Sequence, residues 1–315
     1  IIGIGIGAGL MGMGNNNQLL VYLGFGGALL HTLNHSLFKS LLFYSAGSVY
    51  RQTHTRNMEK LGGLIRQMPK TALIFLVGAI TIGGIPPFNG FISEFIIYSG
   101  LIEGMRSNNL SQISLMVLTF TGLSIIGGLS LLTFTKTYGT IFLGNERQAH
   151  EAPPQEVPGH MLIPQYLIIA VMLSVAAFPG AYLEIVGKII PVLGNETISI
   201  SPQLVSPYSD VVALISRSTV IFSAIVLCVW YFRKLAMKDR PHEIKPTWGC
   251  SYTAPNSRMQ YTGKSFSKTL GKTLNFWLIE SKQYKELKRG EIFPHKRKYN
   301  SFYHDFFEHR IIDAV

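Results

Sequence analysis

Charge is scarce in this chain. Asp, Glu, Lys and Arg make up 14% of the residues while 47% are apolar, whereas soluble domains carry roughly 25% charge. Mean hydropathy is positive. A soluble globular domain is excluded, and a multi-span membrane protein is expected. Cysteine is nearly missing as well. Cys228 sits in an apolar run and Cys250 in a basic stretch, with no CxxC and no cluster of metal ligands. This excludes a disulfide framework and an iron–sulfur centre, and no cofactor is expected in this chain. No Met and no basic leader precede the first apolar residues, which read as a helix cut short rather than a signal peptide. A dinucleotide fingerprint is also lacking. Gly3, Gly5 and Ala8 match one superficially, but no strand precedes them and no acidic residue follows about 20 positions on. Glycines this dense in an apolar helix instead permit close packing of neighbouring spans.

The chain does contain six apolar stretches long enough to span or nearly span a bilayer: 1–13, 19–50, 71–101, 112–143, 162–188 and 211–236. The expected fold is all-α, a multi-pass transmembrane bundle over 1–236 followed by a basic tail over 237–315. Loop 51–70 carries Arg51, Arg56, Lys60, Arg66 and Lys70, whereas 14–18 and 189–210 carry no Lys or Arg. Alternate loops are thus basic, as the positive-inside rule requires. The Pro-rich, acidic loop 144–161 gives that rule no support. After Phe232 the chain holds 17 Lys and Arg against 8 Asp and Glu. Six crossings place this tail beside loop 51–70, on the cytoplasmic side of the inner membrane. Tyr182, Tyr208, Trp230 and Tyr231 lie near span ends, as aromatic belts do.

The second span contains LLHTLNHSLFKSLL, with His31, His35 and Lys39 at four-residue spacing. Such spacing stacks side chains along one helix face, roughly 6 Å apart along the axis. An ionised side chain costs about 2.5–3.5 kcal/mol at mid-bilayer by insertion scales. A lone intramembrane His is often structural glue between helices. Three titratable groups on one face point instead to proton transfer, with imidazoles that accept at one nitrogen and donate at the other and a lysine that loads and unloads. The third span is interrupted by Gly83, Gly84, Pro86 and Pro87. Adjacent prolines remove backbone donors and clash with the preceding turn, so the helix breaks near Ile85. Broken membrane helices commonly mark ion sites. Glu94 lies beyond this break, as a proton carrier or counter-ion to the lysine, with Asn89 and Ser93 able to order water. The structural alternative is a snorkelling interfacial glutamate.

Lys136, near the end of the fourth span, is a secondary carrier beside Thr133, Thr137 and Tyr138, or a snorkelling anchor. Glu184 and Lys188 read as a structural i,i+4 pair, and Arg217 has no assigned role. In the tail, Phe266, Leu270, Leu274, Trp277 and Leu278 recur at helical spacing, so 265–289 is expected to be an amphipathic helix on the membrane surface. Anionic headgroups account for its basic residues, and no nucleic-acid partner is expected. Phe302, Tyr303, Phe306 and Phe307 form a second apolar stripe.

The segment HTLNHSLFKSLLFYSAGSV (31–49), then MEKLGGL and GGIPPFNGFISEF (83–95), strongly resembles the antiporter-like, proton-conducting membrane subunits shared by respiratory complex I, Mrp antiporters and membrane-bound hydrogenases. The tail segment PTWGCSYTAPNSRMQYTGKSFS resembles the hydrogenase 4 and formate hydrogenlyase branch. The resemblance implies two inverted five-helix repeats, and this chain is expected to begin in the last helix of the second, without the first. It implies that Lys39 is the central lysine of a half-channel, His31 and His35 its relay, Glu94 a terminal carrier and Lys136 a further basic position. It also implies other membrane subunits and a peripheral redox module as partners. The function expected is proton translocation by a non-redox membrane subunit of an oxidoreductase complex. The alternatives are an anchoring scaffold and a sodium/proton antiporter subunit.

Overall fold

A computed structural model describes residues 1–86, 88–148, 152–193, 202–238, 259–273, 278–283 and 300–305. It divides into two compact units, 1–259 and 260–315.

The first unit is a helical bundle built around one long helix. Helix α1 covers Ile2–Gly14, and α2 covers Gln18–Thr53. Asn17 caps α2 by accepting from the Leu20 N–H, and the helix stops where His54 adopts a left-handed conformation, φ 50°. Its 36 residues run for roughly 54 Å, well beyond a hydrocarbon core of about 30 Å. Helices α1, α3, α4, α6 and α7 all pack against it. A Cβ placed on Gly5 would lie 2.9 Å from both the Ala28 Cβ and the Gly24 carbonyl. Glycine is therefore required there for α1 to press against α2, as the glycine-rich sequence anticipates.

The third apolar stretch is two helices, α3 (Pro69–Ile82) and α4 (Asn89–Gly104). Gly84, at φ +66°, turns the chain between them. The break expected at the glycines and prolines is present; Pro87 lies outside the described residues. Helix α5 (Leu110–Phe142) follows, capped by Asn109 through the Ser111 and Gln112 amides. The expected span 162–188 is not continuous. It divides at Phe178 into α6 (Gly159–Ala177) and α7 (Pro179–Leu193). Pro179 has no N–H for the ladder and disfavours helical geometry at Phe178, which takes φ −124°, ψ 52°. Helix α8 covers Pro202–Ala236. By length and composition α5, α6 and the Ser206–Ala236 part of α8 suffice to cross a membrane, while α1 and α3 are shorter apolar helices. Along α5 and α8 large apolar residues such as Leu118, Ile125, Phe222 and Leu227 are exposed. This protein is a multi-pass membrane protein whose outer helices offer their side chains to lipid or to neighbours.

The acidic loop that gave the orientation rule no support has a structural task. Glu156 Oε2 accepts from the Lys70 N–H at 2.7 Å and the Thr71 N–H at 3.3 Å, while Oε1 accepts from the Thr71 hydroxyl at 2.5 Å. A carboxylate at the start of α3 satisfies orphan amides and opposes the helix dipole.

In the second unit the expected helix over 265–289 is replaced by a shorter one. Helix α9 covers Gly263–Thr273, and Leu278–Gln283 is strand β1, paired antiparallel with β2 (Asn300–Asp305). Phe266 and Leu270 fall on α9, whereas Leu278 pairs with Asp305 across the ribbon. Ile279 in β1 and Phe302 and Tyr303 in β2 are residue types that favour strands, and cross-strand pairing overrides the helical period. Leu274, Trp277, Phe306 and Phe307 lie outside the described residues, as does most of PTWGCSYTAPNSRMQYTGKSFS.

Candidate functional site

The site forms where α2 passes the break between α3 and α4. Asn34 and Asn89 are both fully buried. The Asn34 amide donates to the Asn89 carbonyl at 2.8 Å and to Ser93 Oγ at 3.0 Å, and the Asn89 amide donates to Asn34 Oδ1 at 2.8 Å. Beside this pair, His31 Nδ1 and Ser93 Oγ are 2.9 Å apart, and the Ser93 hydroxyl also lies 3.0 Å from the Gly90 carbonyl. The first turn of α4 is thus tied to the middle of α2 by side-chain hydrogen bonds. Such polar contacts are how membrane helices hold one another where apolar packing offers no preference.

A cavity of about 360 Å³ opens beside these bonds, lined by His31, His35, Phe38, Glu94 and Ser130, with the first turn of α1 along one side. The imidazole rings of His31 and His35 are 6.3 Å apart, and Phe38 meets each edge-on, at 6.1 and 5.3 Å. The Glu94 carboxylate is held against the turn: a Cβ on Gly84 would lie 2.6 Å from Glu94 Oε2. Position 84 therefore needs glycine twice, for its positive φ and for the space the carboxylate occupies. Ser130 of α5 donates to the Ile82 carbonyl at 3.0 Å, closing the last turn of α3. Nothing in the sequence singled out Ser130, one hydroxyl among many along α5. Its importance comes from facing the broken end of another helix.

Lys39 is not in this cavity. It lines a second one of about 350 Å³ with Phe43, Tyr50, Arg56, Phe134 and Thr137, and the two cavities share no lining residue. Its ammonium lies 5.9 Å from the centre of the Phe134 ring. The expectation that all three members of the ladder occupy one face is corrected by helix geometry. Each four-residue step advances about 40° past a full turn, so Lys39 is rotated about 80° from His31, while Phe38 is within about 20° of it. Glu94 joins the histidines rather than Lys39, and among the described residues no ion pair links the two. Lys136 is half-buried on α5 and lines neither cavity, although its neighbour Thr137 lines the second. Tyr138 packs on Phe75 and Phe142. Glu184 and Lys188 form the expected exposed pair at 2.9 Å, and Arg217 is exposed on α8.

A broken helix, a buried asparagine clamp and a histidine–carboxylate cavity thus lie together inside a multi-pass membrane bundle. Residues 6–126, which contain the His31–Glu94 site, match the family described as NADH:quinone oxidoreductase/Mrp antiporter, transmembrane. Over 182 residues the chain is 38% identical to hydrogenase-4 component B of Escherichia coli (strain K12), covering 56% of this chain and 26% of the relative. It is 42% identical over 147 residues to formate hydrogenlyase subunit 3 of the same organism, covering 47% and 24% respectively. The chain thus spans about a quarter of the length of these relatives. Its fold is similar to that of a chain in the membrane-bound sulfane sulfur reductase, an archaeal respiratory membrane complex, with a TM-score of 0.58 at 20% identity, covering 82% of this chain and 42% of the other.

Proposed function

We propose that this chain is part of a proton-translocating membrane subunit of an energy-coupling redox complex of hydrogenase or NADH/quinone type. The observation that carries this reading is the cavity that assembles His31, His35 and Glu94 at the α3–α4 break. In this reading Ser93 engages one nitrogen of His31, leaving the other to exchange a proton. His35 passes the proton along α2, and Glu94 exchanges it across the break. Lys39, on the second cavity, holds the charge nearer the basic loop 51–70, and Lys136 is a secondary carrier. Charge changes in a peripheral redox module shift the proton affinity of these groups through neighbouring membrane subunits. The subunit lies in the cytoplasmic membrane with loop 51–70 and the tail on the cytoplasmic side, as the distribution of Lys and Arg supports.

The test replaces Glu94 by Gln and Lys39 by Met, separately, in the full-length protein within its assembled complex, reconstituted into vesicles. Protons moved per electron should fall to background in each variant, with redox turnover impaired or uncoupled. Unchanged stoichiometry would refute the assignment. A second reading, sodium/proton exchange, is favoured by the Mrp antiporter half of the family description. A sodium-dependent pH change in the same vesicles, absent with potassium, would select it. If both substitutions leave proton flux untouched while deletion of 265–315 disperses the complex, the chain is an anchoring scaffold.

A further inference from the structure

We propose that the second cavity is a binding groove for an anionic phospholipid. Its walls are apolar, formed by Leu42, Phe43, Val49, Phe75, Phe134 and Ile141. The groove opens outward on the face of α2 where Phe43 is 73% and Tyr50 43% exposed, so an acyl chain can enter from the side. Its two cations sit at opposite ends of this wall. The Lys39 ammonium lies 5.9 Å from the centre of the Phe134 ring, and Arg56 stacks on Tyr50 at 5.1 Å. Neither has a carboxylate partner among the described residues. An apolar slot with an uncompensated guanidinium at its mouth complements a molecule with an acyl chain and an anionic head. Arginine matches a phosphate with two parallel donors, and Thr55 lines the groove beside it.

The dimensions fit one leaflet. From Lys39 to the end of α2 at Thr53 is roughly 21 Å of helix, and half of a bilayer with its headgroup region is roughly 20–22 Å. A phosphate at Arg56 therefore puts the acyl terminus near Phe134 and Lys39. The basic residue Lys60, exposed four positions beyond Arg56, adds to the selection for an anionic head where it approaches the surface. This site stands whether or not Lys39 carries protons.

The experiment uses the full-length protein in its complex, reconstituted into phosphatidylcholine vesicles doped with a photoactivatable phosphatidylglycerol or, in parallel, the matching phosphatidylcholine probe. Crosslinks should map to α2 between Phe43 and Tyr50 and to α5 between Phe134 and Ile141, and should require the anionic probe. Arg56→Gln should lower labelling about tenfold, the loss expected for one charge-assisted contact. Ala46→Trp, which fills the groove and leaves Arg56 in place, should abolish labelling in the groove while labelling elsewhere on the complex persists. Equal labelling by both probes, labelling indifferent to Arg56→Gln, or crosslinks from the groove to another protein chain would each overturn the proposal.

Discussion

Replacing Asn34 by Leu tests the clamp that fixes the broken helix to α2. Leu repeats the branched heavy-atom skeleton of Asn without its polar atoms, so the polar contacts are removed while two methyl groups bulkier than the amide oxygen and nitrogen are introduced. Three hydrogen bonds disappear, but they do not count equally. Ser93 Oγ keeps His31 and the Gly90 carbonyl, and the Asn89 carbonyl retains the helical acceptor role of a first-turn residue. The Asn89 side-chain amide, wholly buried and bonded to Asn34 Oδ1, is left with no partner. An orphaned buried donor costs about 1–3 kcal/mol. Interhelical bonds in membranes average about 0.6 kcal/mol and reach about 1.7, because the unfolded chain in lipid also finds partners. The expected loss is therefore about 1–2 kcal/mol, read from denaturant unfolding of the full-length protein in detergent. Asn34→Leu combined with Asn89→Leu removes both members, so its loss should fall short of the sum of the single losses by about 1 kcal/mol. A single-variant loss below about 0.5 kcal/mol, or strict additivity in the double variant, would refute the clamp, since groups that share a bond must couple.

Two further substitutions probe the surroundings of the site. Gly84→Ala forces a Cβ into a left-handed turn and toward Glu94 Oε2. It should cost about 1–2 kcal/mol and impair proton movement with every titratable residue intact; a variant with native thermal stability and native flux would show the turn to be free. Glu156→Ala removes the acceptor for two amides and a hydroxyl at the start of α3. It should cost about 0.5–2 kcal/mol, as capping substitutions do, and lower the melting temperature without changing flux; an unchanged melting temperature would refute the capping role.

Local signals carried much of the architecture. Glycine and proline at 83–87 located the break, because both residue types act on the backbone where they stand. The glycines of α1 announced its close approach to α2 for the same reason. The interruption at Pro179 was hidden by the apolar run around it, since hydropathy summed over a window is blind to a missing N–H. In the tail, the period of Phe266 and Leu270 correctly gives a helix but stops informing at Leu278, where pairing with a segment more than 20 residues away decides the conformation. At the site, the residue types were legible and their grouping was not. Four-residue spacing resembles a straight ladder only over one step, and the drift over two steps moves Lys39 to another compartment. Asn34, Asn89 and Ser93 were visible as polar groups in an apolar setting, but their mutual bonds join residues 55 to 59 positions apart.

The ring of Phe38 gives the two cavities a relationship that neither has alone. It is 2% exposed and borders the histidine side, while the next residue, Lys39, belongs to the other side. Two consecutive positions of one helix thus open on separate compartments. A rotation of α2 about its own axis would carry side chains out of one and toward the other, so the apolar cluster that holds Phe38 in place, with Leu41, Met68 and Ile74, also fixes which residues each compartment receives.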